Sequence, residues 1–124
     1  MFEKYDLTKT TDDASFEKAI TPLKERLGIL QRTLRDLKIP VLIIIEGWNA
    51  SGITMSTKEI IQALDPRGFT LHATDKATDE ERARPFMWRF WIKTPAKGRI
   101  ALFARGWYSR ALAEKLVSIG WKKS

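Results

Sequence analysis

No cysteine occurs in this chain of 124 residues. Disulfides, thiolate catalysis and cysteine-ligated metal sites are therefore excluded. The absence also fits a reducing compartment. Long apolar runs are missing too. The longest, Val41-Leu42-Ile43-Ile44-Ile45, falls far short of the roughly 20 residues that a bilayer requires. The N-terminus, Met1-Phe2-Glu3-Lys4-Tyr5-Asp6, lacks the apolar stretch of a signal peptide. These absences lead to the expectation of a cytoplasmic protein with no membrane partner. There is no repeat, low-complexity tract or internal linker, and the length suits one domain. His72, the sole histidine, sits at a strand position and reads as structural.

Hydrophobic residues make up 44% and charged residues 30% of the chain, and the net charge is +7. The first two figures describe a soluble globular domain large enough for a core. The third attracts polyanions: phosphates, nucleotides, polyphosphate, nucleic acid or acidic lipid. A basic surface that serves only solubility is the plainer alternative.

Phe16, Ile20, Leu23, Leu27, Leu30, Leu34 and Leu37 recur at spacings of four and three. This is the apolar stripe of an amphipathic helix, expected to lie on a sheet. Asp12 or Asp13 caps its start, Pro22 starts or kinks it, and Ile39-Pro40 ends it. Residues 41–45 are continuous and β-branched, the pattern of a strand buried on both faces of a parallel sheet. A second helix follows, with Met55, Ile60, Ile61 and Leu64 inward, then a turn at Asp65-Pro66-Arg67-Gly68. Phe69-Thr70-Leu71-His72-Ala73 is a second strand. Thr78-Asp79-Glu80-Glu81 is a capping box that opens a helix to about Lys93. Residues 99–103 form a third strand, and a last helix starts at Tyr108 or Ser109. The order α-β-α-β-α-β-α indicates an α/β fold with parallel strands. A three-stranded sheet leaves buried-type strands at its edges, so further sequence beyond Ser124 is expected.

Gly47-Trp48-Asn49-Ala50-Ser51-Gly52-Ile53-Thr54 stands between the first strand and the second helix. Gly47 and Gly52 have the spacing of a phosphate-binding loop, and Thr54 supplies its hydroxyl. The lysine is missing, with Ile53 in its place. Backbone amides and a helix N-terminus still cradle an anion without it. Charge stabilisation during phosphoryl transfer is lost, at a typical cost of roughly 10²–10³ in rate. Gly-x₄-Gly alone is also compatible with an ordinary βα turn.

Several motifs occur together and in order: Glu46-Gly47-Trp48-Asn49-Ala50-Ser51-Gly52, Leu64-Asp65-Pro66-Arg67-Gly68-Phe69, Pro85-Phe86-Met87-Trp88-Arg89-Phe90-Trp91 and Phe103-Ala104-Arg105-Gly106-Trp107-Tyr108-Ser109-Arg110. With Ile39-Pro40-Val41, they resemble the polyphosphate kinase 2 family, over about residues 23–118. The polyphosphate:AMP phosphotransferase branch is the nearer likeness, and the chain resembles a truncated first half. The resemblance implies a P-loop kinase-like parallel sheet flanked by helices, here three strands in the order 2-3-1. Residues 1–38 would form an N-terminal region and residues 39–124 a partial kinase-like domain. It also implies Mg²⁺ as cofactor and polyphosphate with AMP or ADP as partners. A catalytic second half or a homo-oligomer would complete the unit.

The departures from the family pattern fall on chemistry. Asn49 and Ala104 stand where acids are usual, Ile53 where the lysine is, and Gly106 where a serine is. Ala104 cannot ligate a metal, so Mg²⁺ is doubtful and no catalytic residue is assigned. The expected function is a degenerate, inactive phosphotransferase domain that binds phosphate. Two alternatives are an active polyphosphate:nucleotide kinase that uses Lys58 or Lys76, and a basic nucleic-acid-binding module. The last is disfavoured because the charge forms no stripe and no aromatic platform is evident. Lys76, Arg84, Arg89, Arg105 and Arg110 are candidates for contacting polyphosphate or nucleotide. Glu46 is the one acid left beside the loop. Trp88 and Trp91 are expected in the core, and Trp48 exposed.

Overall fold

The computed structural model describes residues 10–118. Its first helix, α1 (Asp13–Asp36), starts where the Asp12 carboxylate accepts the Ser15 N–H at 3.0 Å. The helix runs through Pro22 instead of beginning there. At its other end Lys38 takes the left-handed conformation (φ 56°). The Lys38 N–H then bonds to the Arg35 carbonyl and the Ile39 N–H to that of Leu34. This is a Schellman closure with lysine at the position that glycine usually takes.

Three parallel strands follow: β1 (Val41–Ile45), β2 (Phe69–Ala73) and β3 (Ile100–Ala104). The sheet order is β1-β3-β2, which read from the opposite edge is 2-3-1. Val41 and Phe69 both pair with Ile100, so the three strands are flush. The strand buried on both faces is β3, not β1. Ile100, Ala101, Leu102 and Phe103 are fully buried, whereas Leu42 is 38% exposed. A fully apolar run marks β1, but only β3 has a neighbour on each side. The core groups Phe90, Ala101 and Phe103, with Ile44, Phe86, Met87 and Trp107 packed against it. Phe90, Phe103 and Trp107 meet at ring separations of 5.8–6.2 Å. Such contacts add to the gain from area burial. The His72 ring packs 5.0 Å from that of Phe103.

The second helix, α2 (Ile53–Ala63), begins two residues earlier than Met55. Its inner face is therefore Ile53, Thr57, Ile60 and Ile61, followed by Leu64, and Met55 is 60% exposed on the other side. The long stripe of α1 is divided. Ile20, Leu27 and Leu34 are half-buried, while Phe16, Leu23, Leu30 and Leu37 are exposed. The helix packs against α2 instead of lying on the sheet. Gly28 faces α2, and a Cβ there would stand in ordinary contact with the Ala63 carbonyl oxygen at 3.4 Å.

The helix expected over residues 78–93 is two short ones, α3 (Asp79–Arg82) and α4 (Trp88–Trp91). Pro85 breaks the ladder between them, having no N–H and disfavouring helical geometry in the residue before it. The capping box at Thr78 forms as expected. The break turns Phe90 and Arg89 inward and leaves Trp91 61% exposed, so Trp91 is not in the core. Trp88 is half-buried. The last helix, α5 (Trp107–Ser118), starts directly after the Gly106 turn.

Candidate functional site

The C-terminal ends of the strands bring together the loop after β1, the segment after β2 and the turn into α5. Ligands bind at this end of open α/β sheets. The loop of residues 47–54 curls tightly. Ala50 and Gly52 both have left-handed backbones (φ 62° and 83°). Ser51 N–H donates to the Trp48 carbonyl at 3.1 Å. A side chain at Gly47 would meet the Ser51 hydroxyl. The first bond into α2 runs from the Ser56 N–H to the Gly52 carbonyl. The amides of Ile53, Thr54 and Met55 therefore face the loop without intrahelical partners. Trp48, 87% exposed, stands beside them. The geometry is that of an anion cradle.

Arg105 joins this loop from the far side. It has a left-handed backbone (φ 65°), and its guanidinium donates to Asn49 Oδ1 at 3.1 Å. It borders two adjoining hollows. One, of about 270 Å³, is lined by Trp48, Ser51 and Gly52 among others. The other, of about 480 Å³, is lined by Ile53, Thr54, Lys58 and Ala104. Lys58 thus approaches the hollow beside Ile53.

Glu46 is not free. Its Oε1 accepts the Gly106 N–H at 2.8 Å, and its other oxygen accepts the Ser109 hydroxyl. The carboxylate fastens the start of α5 to the end of β1, a favourable place for negative charge. Gly106 is the other half of this junction: a Cβ there would be 2.8 Å from Ile44 Cγ2. With Glu46 engaged, and Asn49 and Ala104 in place of acids, the loop offers Mg²⁺ no carboxylate of its own. Among the described residues no cluster of three acidic or histidine side chains could hold a metal.

A second basic hollow, of about 380 Å³, lies beyond the β2 end and is lined by Arg82, Arg84, Arg89, Phe86, Phe90 and Arg110 with Ala77. Arg89, 9% exposed, donates to the Asp75 carbonyl at 3.0 Å and pairs with Glu81 at 3.3 Å. Its Nε is buried without a partner. Arg110 donates to the Thr74 carbonyl at 3.0 Å. Arg84 stacks over Trp88. Arg84, Arg89 and Arg110, singled out in the sequence, are thus brought together here. Lys76 is exposed and lines neither hollow. Sequence reasoning missed Arg82 and the Glu46 junction. The second was signalled by an acid ending a strand and a serine opening a helix.

The Polyphosphate kinase 2 (PPK2) family model matches residues 10–123. The chain is 35% identical over 113 residues to a polyphosphate:AMP phosphotransferase of Pseudomonas syringae pv. tomato, covering 90% of this chain and 23% of that protein. It is 36% identical to a GDP-polyphosphate phosphotransferase of Mycolicibacterium smegmatis, covering 93% of this chain and 41% of that one. A solved structure described as a polyphosphate kinase 2 from Pseudomonas aeruginosa superposes with a TM-score of 0.83 at 30% identity, over 97% of this chain and 26% of the other. The polyphosphate kinase 2 structure from Arthrobacter aurescens shares the fold, with a TM-score of 0.80 at 23% identity, over 96% of this chain and 47% of the other. The chain spans less than half the length of each of these relatives. No helix among the described residues is long and apolar enough to cross a membrane. An anion cradle at the mouth of a parallel sheet, an arginine-lined hollow beside it and a family match across most of the sequence place this chain in the polyphosphate kinase 2 family.

Proposed function

We propose that this chain is a phosphate-gripping domain of the polyphosphate:nucleotide phosphotransferase type that has lost its transfer chemistry. The observation that carries the reading is the composition of the hollow between α2 and β3. Ile53 and Ala104 line it together, so both positions where the family resemblance calls for a lysine and a carboxylate are apolar, and the cations that border the hollow are Lys58, further along α2, and Arg105. Transfer of this kind depends almost wholly on positioning and electrostatic stabilisation. Several losses within one reacting unit do not add simply, but each strikes the same step. The groups suited to binding are present: loop amides, Arg105 bonded to Asn49, and the arginine hollow. Polyphosphate and the phosphates of AMP, ADP or GDP are the ligands this chemistry suits. The domain would hold them for a catalytic partner or second half.

Titration of the purified chain with polyphosphate and with AMP, with and without Mg²⁺, tests the reading. Binding that weakens steeply with salt and is insensitive to Mg²⁺ is expected, with no phosphorylated nucleotide formed. Product formation refutes the loss of chemistry. One observation favours the active alternative: Lys58 borders the same hollow as Ile53 and Thr54. If Lys58 replaces the lost lysine, Lys58→Ala abolishes whatever transfer the chain performs, whereas Lys76→Ala does not.

A further inference from the structure

The opposite end of the sheet carries a positive cluster that the phosphate loop does not explain. A hollow of about 440 Å³ is lined there by Arg32, Arg35, Arg67, Lys97 and Arg99, with Asp65 the one carboxylate. Volumes of this order suit small-molecule sites. The hollow adjoins the residues that precede β2 and β3, so the five-residue strands separate it from the loop by about 16 Å.

The cluster is built from three segments that the fold locks together. The Gln31 side chain clamps the Asp65 backbone, donating to its carbonyl at 3.0 Å and accepting its N–H at 2.7 Å. Gly68 leaves room for that amide, which a Cβ would strike. Gly98 (φ 74°) sets the turn between Lys97 and Arg99 against the last turn of α1, where a Cβ would be 3.0 Å from the Arg35 carbonyl oxygen. Cations from α1, from the turn before β2 and from the turn before β3 are thereby held around one space.

Their charges are poorly neutralised. Arg67 forms a two-pronged pair with Asp65, at 3.1 and 2.8 Å. The hydrogen bonds from Arg67, and then the field of Arg35, hold the Asp65 carboxyl down to about 2. Among the described residues Arg32, Lys97 and Arg99 have no acidic partner. Arg35 has Asp36 at 3.7 Å, and attraction of cations to the C-terminal end of a helix accounts for its place. It does not account for Lys97, Arg99 and Arg67, which belong to other segments. Exposed cations of like sign grouped on locked backbone segments, three of them without an acidic partner among the described residues, repel one another, and a multivalent anion relieves that repulsion.

We infer that this pole is a second anion site, separate from the loop, that takes an inorganic oligophosphate through Arg32, Arg35, Arg67, Lys97 and Arg99. The guanidinium forks suit phosphate oxygens bidentately, and Lys97 adds a point charge. The site calls for no metal and no transfer chemistry.

Amide NMR of the whole chain, titrated with tripolyphosphate at low salt and without Mg²⁺, tests the inference. Saturable shifts at Gly68, Gly98 and Arg99 are expected, with a midpoint distinct from that at Gly47 and Gly52. Arg32→Ala/Arg99→Ala should weaken the Gly98 response about tenfold and leave the Gly47 response within about twofold. Lys18→Ala/Arg26→Ala removes the same charge elsewhere on α1 and should change neither response by more than about twofold. Arg32→Gln/Arg99→Gln serves if the alanine variant does not fold. Absence of shifts at Gly68 and Gly98, or equal weakening by the Lys18/Arg26 control, overturns the site. Stronger shifts there with single-stranded DNA of equal phosphate count overturn the ligand class. Loss of the Gly47 response alone contradicts the proposed function and leaves this second site standing.

Discussion

Arg105 brings a guanidinium to the loop of residues 47–54. It lies outside the loop and bonds to Asn49 at the position where a carboxylate is usual in the family. Isothermal titration with tripolyphosphate should show Arg105→Ala weakening the loop site about tenfold, about 1.4 kcal/mol, as expected for one charge-assisted contact. Arg89 differs in being buried and paired with Glu81. Removing Glu81 leaves that cation uncompensated and also breaks the capping box. Urea unfolding of Glu81→Ala should show a loss of about 3 kcal/mol. Glu81→Leu/Arg89→Met, which removes both charges, should lose less. His72 titrates below its ordinary value because burial, and then Lys93, disfavour its charged form. A lowered folded value means that the unfolded chain protonates first as pH falls. Stability contributed by His72 is therefore complete above about 6.5, the ordinary value, and declines below it. His72→Phe should flatten the unfolding midpoint between pH 7 and pH 5.

The elements differ in how openly the sequence announces them. The Thr78 capping box and the Asp65 turn are local hydrogen-bond chemistry, and both form as read. Pro85 was a visible breaker, and reading a helix through it gave the wrong core residues around Trp88–Trp91. The strand pattern of residues 41–45 named the parallel sheet correctly but not its centre. Apolarity alone does not say which strand lies between two others. The stripe of α1 was legible as a helix, but not which row faces the domain. That choice depends on Gln31, a polar residue buried by its bonds to Asp65. At the end of α1, lysine occupies a left-handed position. Lys38→Gly should raise stability by about 0.5–1 kcal/mol in urea unfolding, by removing Cβ strain.

For the whole molecule, the spacing of Gly47 and Gly52 and the ordered motifs placed the chain in its fold and family. They did so because they report backbone geometry, such as the left-handed turn at Gly52. The site was only partly legible. Arg84, Arg89 and Arg110 converge through segments that are distant in sequence, and Arg82 joins them only because α3 ends there. Gly106 counted as lost chemistry in the sequence. In the structure it is where α5 packs against β1 and Glu46. The net charge of +7 likewise showed no grouping, although basic side chains line a hollow at each end of the sheet. Binding at either end should weaken steeply as salt rises.

Phosphorus-31 NMR of the purified chain with polyphosphate, AMP and Mg²⁺ tests the central claim most directly, since one sample reports binding and transfer together. Broadened or shifted polyphosphate resonances with no ADP signal after prolonged incubation are expected of an anion cradle without transfer chemistry. Accumulating ADP, or polyphosphate resonances unchanged by saturating protein, would contradict it.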